Sequence, residues 1–174
     1  MISRPPGAIS KEGNERYMKR FFMFFVALAV FILDGLTKFL AVERMSIGQS
    51  IKVIPDIFHI TLVLNKGAAF GLFKQQKILF IIFATLVVIF IVAYVWKNKI
   101  ADVALSWALG LILGGAAGNL VDRIRFGHVI DFLDFRIWPV FNLADSAITL
   151  GVAILMLDVI LRKPNRARGK LHNT

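Results

Sequence analysis

Between residues 114 and 146 the chain reads GGAAGNLVDRIRFGHVIDFLDFRIWPVFNLADS, a stretch that carries Asn119, Asp122, Arg123, Asp131, Asp134, Asn142 and Asp145. Strongly apolar sequence lies on either side of it, so this density of polar groups marks the place where chemistry is expected. Other reactive groups are scarce. The 174 residues include no cysteine, which excludes a thiol nucleophile, a disulfide framework and thiolate-bound metal. His59, His128 and His172 stand singly, without zinc-ligand spacing or the motif of a Ser-His-Asp triad. Carboxylates remain. Two of them brought together can share a proton, one activating water while the other protonates or hydrogen-bonds a scissile carbonyl. Such a pair hydrolyses an amide with no metal and no cofactor. Asp131 and Asp145 bracket a short connection between apolar segments that are antiparallel neighbours, so their carboxylates can meet at one depth. From spacing alone, Asp134 or Asp122 fits as well as Asp131.

The neighbouring polar residues admit two readings each. Asn119, Asp122 and Arg123 stand at i, i+3 and i+4 and share one side of a helix end. The Arg123 fork suits a carbonyl or phosphate, while a simple Asp122–Arg123 pair marks the water boundary. Asn65, Asn119 and Asn142 can both donate and accept hydrogen bonds, although each alone reads as a cap or turn residue. Asp34 and Lys38 lie one helical turn apart inside an apolar run, and structural pairing is favoured there over catalysis. Asp158 and Arg162 repeat the spacing at a helix end, where a solvated pair is the plain answer.

The elements that must position these groups belong to a membrane protein. Hydrophobic residues make up 57% of the chain and the mean hydropathy is +0.71, above what a water-facing surface carries. A net charge of +10 gathers mostly at segment ends, which points to a lipid surface and away from nucleic acid. Four runs are near spanning length: 21–42, 78–96, 103 to about 120, and about 143 to 161. The first continues through Asp34 and Lys38 without a small-residue cleavage site, so it reads as a helix rather than a signal peptide. Four crossings place both termini on one side. Most of the lysines and arginines, including Lys97, Lys99 and the run RKPNRARGK, lie on that side and make it cytoplasmic. Tyr94 and Trp96 at one end, and Trp138 at the other, suit interfacial belts.

The connection 43–77 contains IKVI and IFHITLVLN, the second alternating Phe58, Ile60, Leu62 and Leu64 with His59, Thr61, Val63 and Asn65. That pattern predicts a small sheet with one apolar face, a platform on the outer leaflet. NKGAAFGLF follows as a turn and a short apolar piece at the interface. Gly110, Gly114 and Gly118 form a smooth strip for close helix contact. The expected fold is therefore a mainly α membrane protein: four transmembrane helices, a small outer-face β platform and a short interfacial helix. Residues 1–20 are a cytoplasmic tail, 21–161 one membrane domain with its platform at about 43–77, and 162–174 a basic cytoplasmic tail.

The strings NKGAAFG (65–71), GGAAGNLVDR (114–123), VIDFLDF (129–135) and FNLADSAI (141–148) resemble, in order, the motifs of lipoprotein signal peptidase, or signal peptidase II. The first-helix DGLTK resembles the family's pattern too, and the likeness covers 21–161. It implies an aspartyl endopeptidase of the bacterial inner membrane, a monomer with its active site near the outer, periplasmic face. The family removes the signal peptide of a prolipoprotein on the amino side of a diacylglyceryl-modified cysteine. Carried onto this chain, the catalytic residues fall on Asp131 and Asp145, and the substrate contacts on Asn65, Asn119, Arg123 and Asn142. Asp34, Lys38, Asp122, Gly114 and Gly118 are supporting residues. No cofactor, metal or nucleic acid is implied; the partners are lipidated prolipoproteins and membrane lipid. The compact interval RIWPV between the aspartates is a departure that bears on the shape of the substrate entrance. Two rival classes stand beside this reading. A small transporter would want polar groups at mid-membrane and an inverted repeat, and neither is seen. A noncatalytic lipid-binding protein would hold the lipidated substrate uncut.

Overall fold

The computed structural model describes residues 11–67, 77–98, 100 and 102–161. In chain order the elements are α1 (Lys11–Arg44), β1 (Ser50–Ile54), β2 (Phe58–Asn65), α2 (Lys77–Lys97), α3 (Val103–Arg125), β3 (Val129–Asp134) and α4 (Leu143–Leu161). All four helices are long and apolar enough to cross a membrane. Their burial is unequal. Of its most apolar window, α3 buries 67%, against 28% for α1 and less for α2 and α4, so α3 is the axis around which the others pack.

Glycine lets α3 hold two neighbours at once. Gly110 faces α1, and a Cβ there would fall 2.7 Å from the Met23 carbonyl; Gly114 meets Ala27 and Val30, and Gly118 meets the Asp34 carboxylate. That is the strip read from the sequence. A second seam escaped that reading: Gly115 of α3 lies against the Ala144 carbonyl of α4, and Gly151 of α4 lies against Ala108 of α3. Small residues on both surfaces let the backbones approach, which is how helices associate where lipid removes the hydrophobic drive. The outward faces, with Phe25, Phe39, Phe83, Phe90 and Ile160 exposed, suit hydrocarbon.

Two helix bounds differ from expectation. The first helix begins at Lys11, so residues 11–20 are helical rather than part of a tail. This stretch has no proline and is rich in Lys, Arg and Glu, which extend a helix already nucleated by the apolar run. Arg20 in it donates to the Asn98 carbonyl at 3.0 Å, just past the end of α2, where free carbonyls collect. The third helix continues beyond residue 120 to Arg125 before Gly127, at φ +79°, turns the chain. Asp122 and Arg123 therefore ride on the helix instead of following it.

The outer platform is a three-stranded antiparallel sheet of order β1-β2-β3. Ile60, Leu62 and Leu64 pack with Ala41, Met45, Ile130 and Phe132 beneath it, as the alternation in β2 requires. Sequence reading placed two strands here and treated 129–134 as a connection. In β3 nearly every residue is buried, on both faces, so the period-two signal that marks a half-buried strand is absent. A register shift between Ile60 and Val63 of β2 sets Asp131 opposite Val63 and Asp134 opposite His59. The expected interfacial helix falls largely on residues 68–76, which lie outside the described residues, as do 1–10 and the basic tail 162–174.

Candidate active site

The start of α4 is where the polar residues converge. Asn142 precedes the helix and its Oδ1 accepts from the Asp145 N–H at 2.9 Å, while Asp145 Oδ2 reaches back to the Asn142 N–H at 3.4 Å. This is a reciprocal capping box, and it locks the Asp145 side chain to the helix entrance. The next free N–H, on Ala144, is taken by Asp34 Oδ1 of α1 at 2.9 Å. The amide of Asn142 then turns to Asp131: its Nδ2 donates to Asp131 Oδ1 at 2.7 Å. Asn65 Nδ2, at the end of β2, holds the other oxygen of Asp131 at 2.8 Å. From α3, Asn119 Nδ2 donates to Asp145 Oδ1 at 2.7 Å. Two carboxylates, one from a strand and one from a helix, are thus cross-braced by three asparagines.

The other aspartates are spent elsewhere. Asp134 accepts from Thr61 Oγ1 at 2.7 Å, from the Arg136 N–H at 2.9 Å and from its guanidinium at 3.0 Å. Burial alone would raise its pKa, but those donors outweigh burial and hold the carboxyl below the usual range, charged at neutral pH. Asp122 accepts from Lys38 at 2.8 Å and from the Ile130 N–H at 3.3 Å. It does not pair with Arg123 as a boundary mark would. Arg123 instead donates to the Asn119 carbonyl at 3.2 Å and lies over the Phe80 ring at 5.4 Å. Asp131 differs from its neighbours. Burial is the largest influence and the nearby Asp145 carboxylate adds to it, against the Asn65 and Asn142 hydrogen bonds, so its pKa is pushed up to about 7. A carboxyl so placed can hold or release a proton near neutrality, the property a proton-sharing pair needs.

Open space reaches Asp145 from two sides. A groove of about 600 Å³ is walled by Phe135, Trp138, Phe141 and Leu150, with Asp145 in its lining. A smaller one, about 270 Å³, runs between Phe80, Phe83, Val87, Asn119 and Arg123, and also ends on Asp145. Both are predominantly apolar. The chemistry that fits is hydrolysis of a bond held against Asp145 from a greasy groove.

A family model described as Signal peptidase (SPase) II matches residues 26–161. This chain belongs to the signal peptidase II family. A lipoprotein signal peptidase of Halothermothrix orenii is 48% identical over 135 residues, covering 78% of this chain and 92% of that one. One from Brevibacillus brevis is 45% identical over 146 residues, covering 82% and 98%. A bacterial membrane enzyme solved by the in meso method at 2.3 Å superposes with a TM-score of 0.77 at 32% identity, covering 86% of this chain and 93% of its own. Signal peptidase II is a membrane aspartic protease that cleaves the signal peptides of prolipoproteins.

Within that family frame, the structure gathers Asp131, Asp145, Asn65, Asn119 and Asn142 into one network, with Arg123 at its edge. Of the asparagines that resemblance assigned to substrate, Asn119 and Asn142 are buried, Asn142 completely, and Asn65 is half-buried; the amides of all three are engaged on the two carboxylates. Asp34 and Lys38 form the expected pair at 2.7 Å, but each also has a partner on another helix. Thr61 and Arg136 were not singled out from the sequence, because their importance depends on the β2–β3 register. The one available signal was their presence beside assigned motifs.

Proposed function

We propose that Asp131 and Asp145 are the catalytic pair of this signal peptidase II, sharing one proton and cutting a prolipoprotein before its diacylglyceryl-modified cysteine. The observation that carries the reading is the cross-bracing of these two carboxylates, with Asp145 in the lining of two apolar grooves and Asp131 buried behind it. Water attacks the scissile carbonyl carbon and gives its proton to the ionised carboxylate. The protonated carboxyl donates to the carbonyl oxygen, and proton return to the amide nitrogen accompanies cleavage of the C–N bond. Which aspartate starts with the proton is a property of the pair. The signal helix and acyl chains occupy the grooves and the surrounding lipid, so the substrate enters sideways and its acyl chains need no extraction into water. Arg123, at the groove edge, serves polar groups of the arriving peptide or lipid head. The enzyme works as a monomer in the bacterial inner membrane, with both termini cytoplasmic and the sheet at the outer face.

The test uses purified protein and a diacylglyceryl-cysteine peptide with cleavage followed by mass. Asp131→Asn and Asp145→Asn should each lower kcat by about 10²–10⁴-fold, the span of acid–base catalysis, while the protein stays folded. Normal turnover by either variant would remove the pair. Strong loss of activity on chelation, restored by metal, would contradict a two-carboxylate mechanism.

A further inference from the structure

Lys38, in the outward half of the first apolar run, is 2% exposed, and its ammonium touches three acceptors: Asp34 Oδ2 at 2.7 Å, Asp122 Oδ2 at 2.8 Å and Asn119 Oδ1 at 3.0 Å. All three of its donors are therefore used. The third contact is the informative one. An ammonium has no lone pair, so it can face only the oxygen end of the Asn119 amide. With the oxygen held there, the NH₂ end must turn outward, and it is this end that donates to Asp145 at 2.7 Å. The same Asn119 oxygen accepts from Asn142 Nδ2 at 3.1 Å, the amide that also serves Asp131. Asn142 has an independent anchor in the Asp145 N–H, whereas Asn119 has none of that kind on its side chain. Two donors hold its oxygen in place, Lys38 and the Asn142 amide, and Lys38 is the shorter and the charged one.

We propose that Lys38 is a positioning residue for catalysis: it fixes which way round the Asn119 amide stands, and through it the geometry of the Asp131–Asp145 pair. The inference rests on the catalytic reading of that pair. Lys38 never reaches the substrate; it decides whether Asp145 meets a donor or an acceptor. Asp34 and Asp122 have a consistent part, neutralising the cation and fixing its place, and Asp34 also ties the assembly to the first turn of α4 through Ala144. Without the cation the Asn119 oxygen keeps only the Asn142 amide, at 3.1 Å, and the carboxamide is freer to turn over and present its oxygen to a carboxylate. That arrangement favours retention of a proton by the pair, and loss of the positive charge acts in the same direction on Asp131. The charged groups around the pair are Asp34 and Lys38 from α1, Asp122 and Arg123 from α3, and the two aspartates themselves.

The experiment is a pH profile of kcat and KM on the lipidated peptide for wild type, Lys38→Met, and the triple variant Asp34→Asn/Lys38→Met/Asp122→Asn, which leaves no carboxylate stranded. Lys38→Met should lower kcat about tenfold or more with KM changed less than about twofold, the mark of an interaction made at the chemical step. The alkaline limb should move to higher pH. The triple variant should show the same kcat loss, and it decides the matter if the single variant does not fold. Wild-type kcat and profile in either variant, or a raised KM with kcat unchanged, would overturn the proposal. On the wild type itself, with ¹⁵N-asparagine labelling, the Asn119 carboxamide protons should be slow to exchange; fast exchange would also overturn it. Asp131→Asn in the same series reports separately on the pair: its retained activity would defeat the catalytic reading, while wild-type behaviour of the lysine variants would defeat only the role given to Lys38.

Discussion

The proton affinity of Asp131 depends on few neighbours, and they act in known directions. Burial and the Asp145 carboxylate raise it, whereas Asn65 and Asn142 donate to the charged form and, with the Lys38 charge, lower it. With the pKa at about 7, the shared proton is lost as pH rises through that value, so kcat should fall on the alkaline side of about pH 7. Asn65→Ala removes a donor that favours the ionised form, and the alkaline limb should then move to higher pH; a shift to lower pH in the kcat profile would refute this account. At this scale the sequence was partly legible. Spacing identified a carboxylate site but left Asp122, Asp131 and Asp134 interchangeable, and resemblance chose among them. What separates them physically is a set of contacts between segments far apart in the chain: Thr61 with Asp134, Lys38 with Asp122, and Asn65 with Asp131. No local pattern encodes those meetings.

At the scale of elements, α3 positions the site because it can approach α1 and α4 closely on two seams. Gly115→Ala would place a Cβ 2.5 Å from the Ala144 carbonyl oxygen, a backbone atom next to Asp145, and neither helix can yield without moving the pair. A cost of about 1–3 kcal/mol is expected for such overpacking, visible as a lower Tm in detergent, together with reduced cleavage. Gly35→Ala is the control. A Cβ there meets nothing within 4 Å, so Tm and activity should hold. An unchanged Tm for Gly115→Ala would show that the α3–α4 seam is slack. The spans themselves were readable from hydropathy, and the alternation of β2 revealed its apolar face. The third strand was not, since burial on both faces erases alternation. Nor was the second glycine seam, because Gly115 falls outside the four-residue spacing of Gly110, Gly114 and Gly118.

For the whole molecule, the proposed membrane orientation rests on charge bias, with the sheet on the connection opposite to Lys97. The chain has no cysteine, so a single introduced thiol reports on its own side of the membrane. Lys52→Cys, on the exposed strand β1, should react with an impermeant maleimide added outside intact spheroplasts, and Lys97→Cys only after lysis. The reverse pattern would invert the proposed topology. The Asp34–Lys38 pair bears on how such a molecule comes to exist. During synthesis α1 enters the bilayer before α3 and α4 have emerged, and an isolated charge within an apolar helix hinders insertion. Placed one turn apart, the two side chains find each other inside a single helix and need no later segment to cancel their charge. When α3 arrives, Lys38 takes up Asn119 and Asp122; when α4 arrives, Asp34 takes up the Ala144 N–H. The pair that keeps the first helix neutral is then the docking point for the last, and the proposed catalytic pair comes together only once α4 is in place.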